Sequence, residues 1–264
     1  SIPLVAASIM SKKLAEGLQG LVLDVKTGSG AFLAEQSHAL TLARTMVELG
    51  EARGLRTTAL MTNMDVPLGL AIGNSLETRE ALECLQGKGP PDLADLTVAL
   101  VGEMLFLGTL AETPEAGEKR TREALEQGRA VSRMARLVER QGGDPAIVEH
   151  PDRLPRAPEI RQVNSEDAGF VGGVSPKTLG YGVVELGGGR CRSGDPIDLR
   201  VGFILKVRLG DRIEPGDPLG EVHAANEADL RLGESTLRDA IRIMEDPPGS
   251  PGPLVLKKVG SGGP

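Results

Sequence analysis

The alternation of apolar and polar positions over the first sixty residues predicts two helices and two strands. Residues 2–16 place small and apolar side chains at intervals of three and four, which is the spacing of one helix face. The apolar run 21–25 has the length of a buried strand, residues 35–49 predict a second helix, and residues 55–61 predict a second strand. A strand, a crossover helix and another strand form a βαβ unit, so we expect a parallel sheet with a right-handed crossover.

Helical spacing dominates the next eighty residues. Residues 92–107, 114–127 and 129–140 predict helices that wrap the sheet. An earlier helix is expected to begin at Asn74 as its N-cap, with Glu77 completing a capping box. Together with the βαβ unit, these segments predict an α/β domain.

The proline-rich segment 150–158 is the best candidate for a domain boundary. Beyond it, short β-like runs alternate with glycine and proline turns, and one long helix is expected over 227–245. The segment Gly210–Leu219 resembles the hairpin of biotinyl and lipoyl carrier folds, but no lysine lies between Val207 and Lys257 to carry such a group. The β-like runs are 159–164, 183–186, 203–207 and 219–223, with a hairpin turn at Gly187–Gly189 and a final strand near 254–258.

Composition narrows the class of function. The 264 residues carry 30 basic and 37 acidic side chains, and a net charge of −7 argues against a protein that binds the nucleic-acid backbone. No apolar run approaches the ~20 residues of a membrane span, and no signal-peptide pattern opens the chain. Cys84 and Cys191 are too few for a disulfide scaffold, and His38, His150 and His223 share no metal-ligand spacing. We therefore expect a cytoplasmic protein that binds neither nucleic acid nor membrane.

The beginning of the sequence is unusual. The chain starts at Ser1 without a methionine and enters the first predicted helix at once. Because domains seldom begin inside an apolar element, we expect that an N-terminal portion of the protein is missing.

Three features can carry chemistry on the strength of the residues alone. Ser8 and Lys12 share a helix face, where a hydroxyl and an ammonium can hold the oxygens of a small polar ligand. Without further context, a solvated lysine beside a serine is the favoured interpretation. Gly28-Ser29-Gly30 follows a strand, but it lacks the length and the lysine of a phosphate loop, so a structural turn is favoured over an anion site. Asp24 is interpreted as a strand-end cap rather than a catalytic carboxylate.

Seven segments carry a more specific signal together than any one of them does alone: 1–17, 24–32, 57–64, 73–77, 103–105, 187–190 and 201–203. In this order they resemble segments of the thymidine and pyrimidine-nucleoside phosphorylases, and the resemblance covers essentially the whole chain.

The resemblance implies a fold and an organisation. A small helical lobe hinged to a large α/β lobe is expected, usually as a homodimer. The fold class is therefore α/β: part of a helical lobe, then a mainly parallel-sheet α/β domain, then a C-terminal α+β module with a barrel-sandwich-like β hairpin. The expected domains are 1–18 (helical lobe and hinge), 19–154 (α/β domain) and 155–264 (C-terminal module).

The resemblance also implies a reaction, in which inorganic phosphate attacks C1′ of a pyrimidine nucleoside and releases the free base and a pentose 1-phosphate. In that context Ser8 and Lys12 grip the base, with Val5, Ile9 and Phe32 as its apolar neighbours. The family's base-binding arginine, its phosphate-binding region and its catalytic histidine map upstream of Ser1. We therefore expect the isolated chain to be inactive and to contain no phosphate-binding residue.

The resemblance extends to a monovalent cation. The family's potassium site maps to the backbone carbonyls of Leu68 and Ala71 and to the carboxylate of Glu80, and no organic cofactor is expected. The alternative for Glu80 is a surface position on a helix.

Other functions remain open at this point. A phosphoribosyltransferase shares the helical-plus-α/β plan but lacks the module at 156–264. An AMP-type phosphorylase is a closer relative of this plan. A non-catalytic module that binds a nucleobase or serves in assembly is the alternative from a different class.

Overall fold

Eight α-helices and ten strands form within residues 1–250 and 252–260, the part of the chain that this computed structural model describes. The helices are α1 (Ile2–Ala15), α2 (Gln36–Glu51), α3 (Asn74–Leu85), α4 (Pro91–Leu107), α5 (Pro114–Glu126), α6 (Arg129–Arg140), α7 (Pro176–Val183) and α8 (Glu227–Ala240). The strands are β1 (Gly20–Thr27), β2 (Arg56–Asn63), β3 (Ala71–Ile72), β4 (Glu159–Asn164), β5 (Gly169–Val174), β6 (Gly202–Leu205), β7 (Arg212–Ile213), β8 (Pro218–Ala224), β9 (Ile241–Met244) and β10 (Val255–Gly260).

Two compact units divide these elements. The first contains the described residues of Ser1–Asp65, Asp92–Gln127 and the segment from Gly252 onward, and the second contains those of Val66–Pro91 and Gly128–Pro251. The predicted boundaries after residues 18 and 154 do not coincide with the limits of these units. The reason is strand pairing, because β3 pairs with β6 in the second unit while β10 pairs with β2 in the first.

The first unit is built on a three-stranded sheet in the order β1-β2-β10. Strands β1 and β2 are parallel, with Gly20 opposite Arg56 and Thr27 opposite Asn63, which confirms the predicted parallel pair. Strand β10 joins the other side of β2 in the antiparallel direction.

Helices α1 and α2 contribute to one core with this sheet. Small and apolar side chains of α2 recur at three- and four-residue intervals and are buried, so its position follows from the period of the sequence. Helix α1 buries only Ala6 and Met10, and its other face is exposed. The buried residues of α2 are Ala39, Leu42, Ala43, Met46, Val47 and Gly50.

The second unit contains two antiparallel sheets, in the orders β3-β6-β8-β4 and β7-β5-β9. Their apolar side chains and those of α7 and α8 form one core, in which Val171, Leu179, Phe203, Val222 and Leu237 are fully buried. Around the turn within Gly210–Leu219, β7 pairs with β5 whereas β8 pairs with β4 and β6. The two strands of the expected hairpin therefore belong to different sheets.

The run 183–186 was expected to be a strand, and that prediction is wrong. Helix α7 starts at its N-cap Ser175, whose hydroxyl oxygen accepts a hydrogen bond from the Thr178 N–H at 3.2 Å. The helix continues into a π-turn over Val184–Gly188, and Gly187 has a φ of 91°. The predicted hairpin turn at Gly187–Gly189 is accordingly the end of a helix, where a left-handed glycine is favoured.

Two further predictions need correction. The helix expected over 227–245 ends at Ala240, and its last residues form β9, which pairs with the unpredicted strand β5. The N-cap of α3 is Gly73 rather than Asn74. Glu77 still reaches back to the cap, because its carboxylate accepts from the Gly73 N–H at 3.0 Å.

Candidate functional site

The exposed face of α1 carries the predicted hydroxyl and ammonium pair. Ser8 and Lys12 are both exposed and lie one helical turn apart, while Ala6 and Met10 anchor the opposite face of the helix. Among the described residues, neither the Ser8 hydroxyl nor the Lys12 ammonium has a hydrogen-bond or ion-pair partner. The neighbouring Lys13 differs, since its ammonium lies 3.1 Å from a carboxylate oxygen of Glu16. Lys12 is therefore available to a ligand in a way that Lys13 is not.

A groove of about 250 Å³ lies beside this helix, and it brings Val5 and Phe32 together. Phe32 is 88% exposed, an unusual state for a large apolar side chain. Ile9, which is half-buried, does not line the groove, and neither do Ser8 and Lys12. The complete lining is Ser1, Ile2, Val5, Phe32, Leu33 and His38.

The glycine loop after β1 is a structural turn, as predicted. The N–H groups of residues 28 to 31 all donate within the unit: Gly28 to the Ala34 carbonyl at 3.1 Å, Ser29 to Asp65 Oδ1 at 2.8 Å, Gly30 to the Met64 carbonyl at 2.9 Å, and Ala31 to the Gly28 carbonyl at 3.0 Å. An anion would find no free backbone donor at these four positions, and a carboxylate already occupies one of them.

Asp24 is not a strand-end cap, because it lies within β1. Its Oδ2 is 2.6 Å from the Lys26 ammonium, and its Oδ1 accepts a short hydrogen bond from the Thr62 hydroxyl. Lys26 also donates to the Thr62 hydroxyl oxygen at 3.0 Å. Asp24 and Lys26 are two residues apart and therefore share a face of the strand, so their spacing could have predicted the ion pair. Thr62 lies on the neighbouring strand, and its contact with Asp24 is not visible from spacing.

Glu80 is buried rather than on a helix surface. Its Oε1 accepts from the Leu70 N–H at 2.8 Å and from the Ala71 N–H at 3.1 Å. Gly69, with a φ of 73°, faces the other carboxylate oxygen so closely that an added Cβ would lie 2.3 Å from Oε2. The carboxylate of Glu80 on α3 therefore lies against the backbone of residues 69–71.

Among the residues that the structure describes, no group of three or more His, Cys, Asp or Glu side chains is arranged to hold a metal ion. No helix in 1–250 or 252–260 has both the length and the apolar character needed to cross a membrane.

Comparison with known families gives two matches. Residues 1–131 match the model of the glycosyl transferase family a/b domain, and residues 170–244 match that of the pyrimidine nucleoside phosphorylase C-terminal domain. The two matches cover separate parts of the chain in the order that the sequence segments predict.

Curated relatives extend the match to most of the chain. It is 41% identical over 227 residues to a pyrimidine-nucleoside phosphorylase of Bacillus subtilis, an alignment that covers 86% of this chain and 52% of the relative. It is 42% identical over 245 residues to enzymes of that name from Staphylococcus aureus strains RF122 and USA300, which covers 93% of this chain and 56% of each relative. The chain thus spans about half the length of the curated relatives it matches. On these grounds the chain belongs to the pyrimidine-nucleoside phosphorylase family.

Proposed function

We propose that this chain supplies part of the base site and the C-terminal module of a pentosyltransferase that cleaves pyrimidine nucleosides with phosphate. The observation that carries the proposal is the exposed pair Ser8 and Lys12, one helical turn apart and without a protein partner, in a chain whose relatives bear the name pyrimidine-nucleoside phosphorylase.

The pair suits the difficult step of this reaction. A phosphate oxygen forms the new bond to C1′, and the electron pair of the glycosidic bond leaves on the base, which is protonated on release. Negative charge develops on the ring oxygens and nitrogen of the base as the bond breaks. An ammonium at Lys12 and a hydroxyl donor at Ser8 would stabilise that charge more in the transition state than in the ground state, which lowers the barrier.

Val5, Ile9 and Phe32 complete the base side of the proposed site. The Phe32 ring and Val5 line one groove, so a planar base can lie against an apolar wall there. Phosphate is proposed to bind to residues outside this chain, because the family's phosphate-binding region maps upstream of Ser1; the occupied backbone donors of residues 28–31 support this proposal. The isolated chain is accordingly proposed to be inactive, and the working protein to be a cytoplasmic homodimer.

A potassium ion is proposed to bind at Leu68, Ala71 and Glu80. The residues fit such an ion, since one carboxylate and two backbone carbonyls provide oxygen ligands of low total charge. Glu80 Oε1 accepts hydrogen bonds from the Leu70 and Ala71 N–H groups, and Oε2 lies close to Gly69, so the carboxylate is held beside this segment. The bound ion would fix the segment 68–71 against α3.

Substitution of Lys12 tests the proposal. In the full-length polypeptide, Lys12→Met is expected to lower kcat/KM for uridine and thymidine by about 100-fold or more, followed as release of sugar 1-phosphate. Lys13→Met is the matched control, because its ammonium pairs with Glu16, and it should change kcat/KM little. Equal effects of the two variants would refute the assignment. Calorimetric binding of uracil without any turnover by the full-length polypeptide would instead favour a non-catalytic nucleobase-binding module.

A further inference from the structure

The loop that carries Phe32 is tied to the chain that follows β2 by a carboxylate. Asp65 Oδ1 accepts the Ser29 N–H at 2.8 Å, and the Ser29 hydroxyl lies 3.4 Å from the Asp65 carbonyl oxygen. Asp65 is itself positioned by Asn63, whose side-chain oxygen accepts the Asp65 N–H at 2.8 Å. A hydrogen bond from an amide to a carboxylate is stronger than one to a neutral oxygen, so this is the firmest tie on that side of the loop.

Gly28 makes the close approach possible. Its φ is 114°, and an added Cβ would lie 2.8 Å from Asp65 Oδ1 and 2.9 Å from the Asp65 nitrogen. Any other residue would therefore both strain the backbone and push the carboxylate away from the loop.

The base of the loop is fixed separately. The Ala34 carbonyl oxygen accepts from the Gly28 N–H and from the Thr27 hydroxyl, both at 3.1 Å. Phe32 lies between these fixed points and is 88% exposed, so its own packing does little to hold it. The position of the ring must follow from the backbone of the loop.

We infer that Asp65 is a positioning residue for the base: its carboxylate holds the loop 28–34 so that the Phe32 ring stays against the groove beside α1. The inference rests on the proposed function, in which Phe32 contacts the base. Asp65 itself need touch neither substrate.

The loop can be observed without any activity. The chain contains no tryptophan, so Phe32→Trp introduces a single indole at the point of interest. In that background, Asp65→Ala is expected to lower the fluorescence anisotropy of the indole, whereas Asp65→Asn, whose amide oxygen can still accept the Ser29 N–H, should restore it. Asp211→Ala is the matched control, because Asp211 also accepts a backbone N–H, that of Arg208 at 2.6 Å, in an exposed turn. Unchanged anisotropy in folded Asp65→Ala would overturn the inference.

Kinetics then separates the inference from the proposed function. In the full-length polypeptide, Asp65→Ala is expected to raise KM for uridine about fivefold with kcat nearly unchanged, because it loosens binding alone. Phe32→Ala should raise KM at least as much, and adding Asp65→Ala to it should have little further effect.

The outcomes are distinct. If Phe32→Ala leaves KM unchanged, the proposed base site is wrong. If Phe32→Ala raises KM while Asp65→Ala does not, or if the two effects simply multiply, Asp65 does not act through Phe32 and the proposed function is unaffected.

Discussion

The ammonium of Lys258 on β10 lies 2.6 Å from Glu103 Oε1 on α4. Glu103 is almost fully buried, and within the described residues its Oε2 has no hydrogen-bond partner. The same ammonium lies 5.8 Å from the centre of the Phe106 ring. A nearly buried carboxylate with a single cationic partner makes the docking of α4 on the sheet dependent on that partner.

Removal of this cation should destabilise the protein. Lys258→Met leaves the Glu103 charge buried and unpaired, and we expect a loss of about 2 kcal/mol in the free energy of unfolding, moderated by the partial exposure of the lysine. Urea denaturation measures the change. Lys257→Met, at the exposed neighbouring position, is the control and should have little effect. Adding Glu103→Gln to Lys258→Met should recover part of the loss, and no recovery would contradict the role assigned to the pair.

A pair of glycines tests the burial of Glu80. Gly69 and Gly54 have nearly equal φ values of 73° and 72°, but an added Cβ meets Glu80 Oε2 at Gly69 and meets nothing within 4 Å at Gly54. Both alanine variants bear the cost of a left-handed residue, about 1 kcal/mol. Gly69→Ala should lose about 1–2 kcal/mol more, because the carboxylate and its two hydrogen bonds are displaced.

Gly69→Ala and Gly54→Ala also test the proposed potassium site. If potassium binds near Glu80, raising its concentration at constant ionic strength should raise the melting temperature of the wild type and of Gly54→Ala. Gly69→Ala should lose that response. A wild type that is indifferent to the choice between potassium and a larger organic cation would exclude the proposed site.

His223 should make stability depend on pH. Burial lowers the pKa of His223 below its ordinary value of about 6.5, with the charges of Arg79 and Arg156 acting in the same direction and Glu221, 3.6 Å away, opposing it. The folded state thus favours the neutral imidazole. Its contribution is fully present above pH 6.5 and is lost as the pH falls through the lowered pKa.

The measurement is a pair of denaturation series. Between pH 7 and pH 5, His223→Gln should lose less of its free energy of unfolding than the wild type does. His38→Gln, at an exposed histidine, should follow the wild type. A variant at His223 whose stability falls as steeply as that of the wild type would show that other groups govern this range.

The sequence predicts those elements whose signal is local. Helix α2 and strands β1 and β2 have the expected bounds within a few residues, because each has a clear period and a glycine or polar segment at its end. The run 183–186 was wrongly predicted to be a strand, because its β-branched residues continue the helix that begins after the N-cap Ser175. Strand β5 was not predicted, because three of its six residues are glycines, which have a low β propensity.

The candidate site also contains residues with a local sequence signal and residues without one. The spacing of Ser8 and Lys12 predicts that they share one helix face, which is a local property, but only the family resemblance assigns them to the base. Asp65 could not be found, since it meets Ser29 across 36 residues of chain through a backbone N–H that leaves no trace in the sequence. The hydrogen bonds from the Leu70 and Ala71 N–H groups to Glu80 likewise leave no local pattern in the sequence, and only the resemblance groups Glu80 with Ala71.

The place of β10 beside β2 has a consequence for synthesis on the ribosome. Translation passes through the entire second unit between Asn63 and Val255, which at the usual rates takes roughly 10–40 s. During that interval the edge of β2 that later pairs with β10 exposes unpaired backbone N–H and C=O groups, to which another extended peptide could bind. The sheet of the first unit is therefore completed only after the second unit has been translated, and the nascent polypeptide must keep this edge of β2 unpaired until β10 emerges.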